Sequence, residues 1–235
     1  MCAVIGAVIK NPSLKDFEAL KRVFIESKIR GMHATGMSFL PSWTDEIVTI
    51  KEAIPADKFV EKHMHNDNFK EFINKDGNLY LIGHCRYSTS DLEYNQPMAT
   101  ANKSIVHNGV ITQELPEHWK ELYGYDCSTK NDSELVLHSN DPLDEFNNMS
   151  MAVCTLTASP KELTVYRNGK RPLYLTTMSN GSIITSTADI ATRANLYFPN
   201  MEIPMDTYIT FDSALTMKMQ LVKTGNKDLQ NVQQK

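Results

Sequence analysis

Short β-rich segments follow one another through the second half of the chain, and a turn sequence separates each from the next. The segments cover residues 151–157, 162–167, 173–178 and 182–185. The turns contain Ser159-Pro160, Asn168-Gly169 and Asn180-Gly181, and Asn-Gly is a strong short-range hairpin signal. This spacing predicts an antiparallel meander and argues against a parallel sheet whose strands alternate with helices.

Helical patterns lie mainly in the first half. Apolar residues recur at helical spacing from Leu14 to about Ile29, directly after Ser13, and Asp16 is placed to complete a helix cap. The chain is therefore α+β, and we expect one domain over residues 1–235 with a frayed tail at 224–235. The first strand, at 2–10, lacks alternation and suits burial on both faces. Further helices are predicted over 56–74, 115–123, 132–138 and 188–196. Further strands are predicted over 37–40, 46–51, 78–83, 104–107, 208–211 and 216–222.

Composition argues against several classes of function. The 235-residue chain has a formal net charge of −4 and no basic face that would indicate nucleic-acid binding. It has no run of about 18 apolar residues that could span a membrane. Its first ten residues lack the features of a secretory signal. The four cysteines form no CxxC pair, which favours a reducing compartment, and we expect a cytoplasmic protein.

The sequence does not indicate a metal site. His63 and His65 could face the same way on a strand, but Lys, Asp and Asn residues surround them, and no further ligands stand at metal spacing. We therefore expect neither a metal ion nor another cofactor.

Cys2 follows the initiator methionine and allows two interpretations. A free cysteine usually behaves as a small buried hydrophobe, and here it would begin the first strand. Alternatively, Met1 is removed, as is common before a small side chain, and Cys2 then carries both a thiol nucleophile and a free α-amine. The position of Cys2 alone leaves both interpretations open.

Two polar clusters directly follow predicted strands. The first is GHCRYSTSD at 83–91, with Asn95-Gln96-Pro97 shortly after it, and the second is HNGVI at 107–111. Taken separately, Arg86 could be a structural ion-pair partner and His107-Asn108-Gly109 a turn. Taken with Cys2, they form a more specific pattern.

That pattern resembles the class II glutamine amidotransferases, the glutaminase domains of the N-terminal nucleophile (Ntn) hydrolase superfamily. The resemblance runs in order from Cys2 to about Ala188 and implies a four-layer αββα sandwich with two antiparallel sheets between helical layers. The matching segments are Met1-Cys2, RGMHATG at 30–36, GHCRYST at 83–89, His107-Asn108-Gly109, Asp132-Ser133-Glu134 and YRNGKRPL at 166–173.

The resemblance implies a role for the cysteine and for the second cluster. Cys2 would attack the amide carbon of L-glutamine, with its own α-amine as the base. The Asn108 side-chain amide and the Gly109 N–H would stabilise the oxyanion that forms. The products would be glutamate and ammonia, by way of a thioester.

The resemblance also implies how the amino-acid end of glutamine is bound. Arg86 would hold the α-carboxylate in a two-pronged contact, and Asp132 would hold the α-ammonium. Thr89 would add a hydroxyl contact. Arg30 would help to shape a loop that closes over glutamine, and residues 30–35 and 91–100 are the candidates for closure.

The chain departs from the family pattern at three points and leaves the ammonia acceptor open. Ala3 replaces a common Gly, His33-Ala34 replaces an Asp-Ser or Asp-Ala pair, and Asn168 replaces an Asp. Family members usually carry an ammonia-consuming domain, so we expect a separate synthase or ligase protein as partner. The alternatives are an Ntn amidase that acts alone on another small amide, and a non-catalytic regulatory subunit.

Overall fold

Two antiparallel sheets lie face to face in the computed structural model, which describes residues 1–88 and 92–222. The strands of the first sheet, in spatial order, are β11 (Asn200–Glu202), β9 (Tyr174–Met178), β10 (Gly181–Thr185), β1 (Ala3–Lys10), β4 (Asn78–Arg86), β2 (Ala34–Phe39) and β3 (Val48–Glu52). Those of the second sheet are β13 (Met217–Leu221), β12 (Thr207–Phe211), β8 (Glu162–Arg167), β7 (Ser150–Thr157), β6 (Lys103–Val110) and β5 (Met98–Ala99).

Helices cover the outer face of each sheet. The first sheet is covered by α1 (Leu14–Ser27), α2 (Ala56–His63), α6 (Ala188–Arg193) and a 3₁₀ segment at Asn66–Phe72. The second is covered by α3 (Trp119–Tyr123), α4 (Ser133–His138) and α5 (Pro142–Glu145). Short 3₁₀ turns at Lys28–Arg30 and Pro116–His118 adjoin α1 and α3. The predicted αββα arrangement and the α+β class are confirmed.

The apolar core lies in three layers, and β1 supplies two of them. Its side chains alternate, so that Val4 and Val8 pack between the sheets while Ile5, Ala7 and Ile9 pack beneath α1. This explains why the strand reads as a continuous apolar run, as the sequence predicted. Complete burial of a side chain such as valine or isoleucine stabilises a fold by about 1.5–3 kcal/mol. The buried side chains of β1 therefore contribute strongly to the stability of the sandwich.

The start of α1 follows the prediction closely. The Ser13 hydroxyl accepts a hydrogen bond from the Asp16 N–H, and the Asp16 carboxylate accepts one from the Ser13 N–H, which completes a capping box. The α-helix ends at Ser27, and the 3₁₀ turn that follows carries the chain to Arg30. This turn brings Arg30 to the end of β1.

The predicted meander is wrong in one respect, because its four strands belong to two sheets. β7 and β8 pair as one hairpin, β9 and β10 pair as another, and the chain changes sheet between β8 and β9. The Arg167 side chain fixes this crossing by donating hydrogen bonds to the carbonyls of Arg171 and Ile203, at 3.0 and 2.7 Å. Leu173 is then buried between the sheets. The Asn168-Gly169 signal marks a crossing rather than a hairpin.

The helix predicted over 56–74 is interrupted. The α-helix ends at His63, where the Asn68 side chain donates a hydrogen bond to the His63 carbonyl, and the chain continues as a 3₁₀ segment. The helix predicted over 188–196 ends at Arg193, and Asn195 then adopts a positive φ of 61°. Three short elements, β5, β11 and α5, were not predicted from the sequence. The predicted frayed tail lies outside the described residues.

Two further findings bear on the compositional arguments. No helix in the two described ranges has the length and apolar character needed to cross a membrane. All four cysteines are free thiols.

Candidate active site

Strand pairing brings Cys2 and Arg86 to one end of the first sheet. β1 runs antiparallel to β4 with Ala3 opposite Cys85, so Cys2 and Arg86 are the next residues outward. Val4 and His84 face the second sheet, and the alternation of side chains along a strand places Cys2 and Arg86 on that same face. The register of β1 against β4 therefore brings the start of the chain next to the GHCRYST segment.

A cavity of about 370 Å³ opens between the ends of the two sheets. Of the residues predicted for the site, four line it: Cys2, Arg86, Gly109 and Asp132. The other walls come mainly from four parts of the chain, namely Tyr87 and Ser88, the segment that holds Gln96, and parts of residues 112–119 and 130–133. The structure thus brings together segments that are more than 100 positions apart in the sequence.

Cys2 and Asn108 are in direct contact. The Cys2 N–H donates a hydrogen bond of 3.3 Å to Asn108 Oδ1, and the Cys2 Sγ lies 3.9 Å from the Tyr87 carbonyl oxygen. Asn108 is buried, and within the described ranges its Nδ2 has no hydrogen-bond partner. A buried donor without a partner is unfavourable unless a ligand or water meets it, so Nδ2 is available to bound substrate.

Only glycine fits at position 109. A Cβ atom on Gly109 would lie 1.8 Å from the carbonyl oxygen of Ser150 on the neighbouring strand, far inside contact distance. The backbone of β6 can therefore approach β7 closely at this point while the Gly109 residue still borders the cavity.

Asp132 joins the end of β6 to the start of α4. Its Oδ2 accepts hydrogen bonds from the Ile111 and Thr112 N–H groups, at 2.7 and 3.3 Å. The carboxylate also borders the cavity, so it can hold the β6 end in place and still present negative charge to a ligand.

The remaining predicted residues lie in different surroundings. Arg86 Nη1 donates to the Tyr94 carbonyl at 2.9 Å and to Asn95 Oδ1 at 2.8 Å, which fixes the guanidinium at the cavity wall. Thr89 lies outside the described residues, as does Asp91 at the start of the predicted closing segment.

Arg30 contacts the backbone of Cys2. Its Nε donates a hydrogen bond of 3.0 Å to the Cys2 carbonyl, and its Nη2 lies 3.6 Å from the Met1 Sδ. Arg30 lines an adjoining cavity of about 480 Å³ together with Met1 and Tyr87. Its predicted contact with substrate stays a prediction.

Gln96 holds the backbone beside Asn108, a role that the sequence did not predict. Gln96 Oε1 accepts from the His107 N–H at 2.6 Å, and its Nε2 donates to the His107 carbonyl and to Ser133 Oγ, both at 3.0 Å. Lys51 holds Gln96 in turn, since its Nζ donates to the carbonyls of Asn95 and Pro97 at 2.8 and 3.0 Å. The polar Asn95-Gln96-Pro97 sequence, shortly after the first cluster, is the feature that could have indicated this role of Gln96.

Two buried histidines, His84 and His107, border the cavity, and burial lowers the pKa of both. Burial is the largest of the causes that lower the pKa of His84 to about 3, and nearby His107 and Arg86 contribute to the same shift. Burial also lowers the pKa of His107, against the opposing effect of Asp132. The His107 nitrogens contact Ser133 Oγ at 2.9 Å and the Ser150 carbonyl at 3.2 Å. His84 is thus too weak a base to take a thiol proton near neutral pH.

A group of potential metal ligands includes two residues of α4, but the carboxylate in this group already accepts several hydrogen bonds. Single atoms of Cys127, Glu134 and His138 lie within 4.8 Å of one another. Burial raises the pKa of the Cys127 thiol to about 11, with further contributions from Glu134 and Asp126, which opposes metal binding by a thiolate. The two Glu134 oxygens accept hydrogen bonds of 2.6–2.8 Å from the backbone and hydroxyl groups of Ser128 and Thr129. Glu134 therefore holds the loop that precedes Asp132.

Comparison with known families identifies the chain. The model of the glutamine amidotransferase domain family matches residues 52–226, about three quarters of the sequence. The chain belongs to this family. A search of curated proteins, with this sequence as the query, finds no match.

Solved structures of amidotransferases share the fold of this glutamine amidotransferase domain. Glutamine phosphoribosylpyrophosphate (PRPP) amidotransferase from B. subtilis matches with a TM-score of 0.66 and 18% identity, covering 94% of this chain and 49% of that one. A structure described as the allosteric regulatory enzyme of purine biosynthesis matches with a TM-score of 0.65 and 17% identity, covering 94% of this chain and 49% of that one. A class-II glutamine aminotransferase domain protein from Silicibacter pomeroyi matches with a TM-score of 0.56 and 11% identity. The match covers 94% of this chain and 98% of that one.

These findings confirm the predicted family, fold and enzyme class. The chain is a glutamine amidotransferase domain, built as two antiparallel sheets between helical layers. It spans about half the length of the first two structures. The family match begins after Cys2 and Arg30, so the roles of those residues depend on the geometry above.

Proposed function

We propose that the protein hydrolyses L-glutamine to glutamate and ammonia through the thiol of Cys2. The observation that supports this most directly is the contact of the Cys2 nitrogen with Asn108 Oδ1 at 3.3 Å, beside a buried Asn108 Nδ2 that is free to donate. Nucleophile, base and oxyanion donor would then share one end of the sandwich.

Removal of Met1 is the first step of the proposal. Met1 is 68% exposed, so an aminopeptidase can reach it, and its loss converts the Cys2 amide nitrogen into a primary amine at the same place. An α-amine ordinarily titrates near pH 7.7–8.0, which suits proton transfer at neutral pH. The Arg30 contact with the Cys2 carbonyl would keep the new terminus in position.

In the chemical step, the Cys2 amine takes the thiol proton and the sulfur attacks the side-chain amide carbon of glutamine. The carbonyl oxygen becomes an oxyanion that accepts hydrogen bonds from Asn108 Nδ2 and the Gly109 N–H. The amine returns its proton to the leaving nitrogen, the C–N bond breaks, and ammonia and a Cys2 thioester form. Water then hydrolyses the thioester to glutamate and restores the thiol.

The charged end of glutamine would bind between Arg86 and Asp132. A planar guanidinium matches a carboxylate in two parallel hydrogen bonds, and a carboxylate is the natural partner of an ammonium group. Both side chains border the cavity that holds Cys2. Thr89 completes this proposal as a hydroxyl contact.

Ammonia from this reaction is proposed to pass to a separate synthase or ligase protein. Glutamine PRPP amidotransferase, by its name, transfers the amide nitrogen to a second substrate, and the present chain matches about half of it. We place residues 1–235 in one glutamine amidotransferase domain that acts in the cytoplasm.

Labelling with the glutamine analogue 6-diazo-5-oxo-L-norleucine tests the proposal. The analogue should add mass to the peptide that begins at Cys2, and Cys2→Ala should abolish both labelling and ammonia release while the circular dichroism spectrum stays unchanged. Cys127→Ala is the matched control and should keep wild-type activity. Labelling of another cysteine, or full activity with a permanent N-terminal extension, would contradict the assignment.

A further inference from the structure

His33 binds the segment that follows Arg86. Its Nδ1 accepts a hydrogen bond of 2.9 Å from the Ser88 N–H, and its ring centre lies 5.0 Å from that of Tyr87. Its own N–H donates to the Arg86 carbonyl at 3.0 Å. His33 therefore contacts three consecutive residues that line the cavity, although it is not itself among the lining residues.

The residues that His33 holds form the wall beside the nucleophile. Tyr87 and Ser88 both line the cavity, and the Tyr87 carbonyl oxygen is the atom 3.9 Å from the Cys2 Sγ. Gly31 lets the His33 segment lie directly against this wall, since a Cβ atom there would be 2.3 Å from the Arg86 carbonyl carbon. A displacement of His33 would thus move the wall rather than an independent loop.

We propose that His33 is a positioning residue, whose Nδ1 lone pair fixes the Tyr87–Ser88 wall against Cys2 and thereby keeps Arg86 directed at the cavity. A backbone N–H can be accepted only by an unprotonated ring nitrogen, so the working form is neutral with its proton on Nε2. His33 is also one of the points at which the chain departs from the family pattern, which has an Asp-Ser or Asp-Ala pair where this chain has His33-Ala34. The inference rests on the proposed function and adds a determinant of glutamine binding to it.

The matched pair His33→Asn and His33→Leu separates hydrogen bonding from packing. The two replacements have similar size, but only asparagine has an oxygen that can accept from the Ser88 N–H. His33→Leu should lower kcat/KM for glutamine about tenfold, the order expected for one lost hydrogen bond, and mainly through KM. His33→Asn should stay within about twofold of wild type.

Two measurements report on the position of the Tyr87–Ser88 wall in the absence of glutamine. The first is the rate of amide hydrogen exchange in the peptide that contains Ser88, and the second is the rate of Cys2 alkylation by iodoacetamide. Both rates should rise in His33→Leu and stay unchanged in His33→Asn, with Cys127 alkylation as the internal control. Equal kinetic losses in the two variants, or fast exchange with unaltered glutamine kinetics, would overturn the proposal. If the wild-type chain fails to hydrolyse glutamine, the proposed function fails. Unchanged exchange and alkylation in His33→Leu would then still overturn the role of His33.

Discussion

The two ends of the Asn108 side-chain amide have different surroundings. Oδ1 accepts from the Cys2 nitrogen, which orients the amide and leaves Nδ2 buried without a partner among the described residues. Under the proposed mechanism, the same contact that holds the Cys2 nitrogen would orient the oxyanion donor. This coupling depends on the strand ends that bring β1 and β6 together, so a motif alone does not reveal it.

Replacing Asn108 by Asp tests this arrangement with almost no change of shape. The variant keeps the oxygen that faces Cys2 but turns the donor into a second oxygen, which would repel the oxyanion. We expect kcat for glutamine to fall by about 10²–10³, with a much smaller change in KM. The measurement is steady-state ammonia release.

Asn200→Asp makes the same chemical change at an exposed position on β11 and serves as the control. It should leave both constants unchanged. If Asn108→Asp raises KM and spares kcat, then Asn108 binds the ground state and the oxyanion donor lies elsewhere.

At the scale of elements, the sequence predicts what is decided locally. The capping box of α1 and the bounds of β8 depend on neighbouring residues, and both agree with the structure. The crossing from β8 to β9 was not predicted, because hairpin and crossing share the same turn residues and differ only in long-range pairing.

The site shows the same division. The family resemblance implied that Cys2, Arg86 and Asp132 belong to one site, and all three line the same cavity, while their roles stay predictions. The hydrogen bonds from Gln96 to both backbone groups of His107, and from Lys51 to the carbonyls around Gln96, were not predicted. Such contacts depend on which strand edges face each other, and neither residue type has a fixed spacing that would reveal it.

The loop before α4 gives a prediction about pH. Burial raises the pKa of Glu134, but hydrogen bonds from Thr129 and Ser128 outweigh it, and the net pKa lies below the ordinary value of 4.5. The unfolded chain therefore binds this proton more readily than the folded chain. Ionised Glu134 stabilises the fold above about pH 4.5, and this stabilisation is lost as pH falls through the lower, folded-state pKa.

Glu134→Gln should lower the free energy of unfolding by about 2 kcal/mol at pH 7, since hydrogen bonds to a charged group are lost. The difference from wild type should shrink as pH falls below about 4.5, in urea unfolding followed by circular dichroism. Glu71→Gln, at an exposed position, should show no such trend. A difference that stays constant over the whole pH range would mean that the carboxylate is not the source of the stability.

At the scale of the whole molecule, the proposed glutaminase reaction requires an acceptor for the ammonia that it would release. The cavity with Cys2 lies at one end of the sandwich, and exposed apolar side chains such as Ile29 and Tyr87 border the adjoining cavity at that end. A ligand or partner can raise activity only if it binds the active conformation more tightly than the inactive one. An acceptor protein that stabilises the closed site would therefore increase glutamine turnover as well as consume the product.

We accordingly expect weak glutaminase activity from the isolated chain and a rise of about tenfold or more when the cognate synthase and its acceptor substrate are added, which corresponds to at least about 1.4 kcal/mol of coupling. Capture from native cells with the Cys2→Ala variant as bait would supply the partner without turnover. Glutamine labelled with ¹⁵N in the side-chain amide then shows whether nitrogen appears in the acceptor's product or as free ammonium. Full turnover by the chain alone, unaffected by any captured protein and with all the label in free ammonium, would identify a self-sufficient amidase instead.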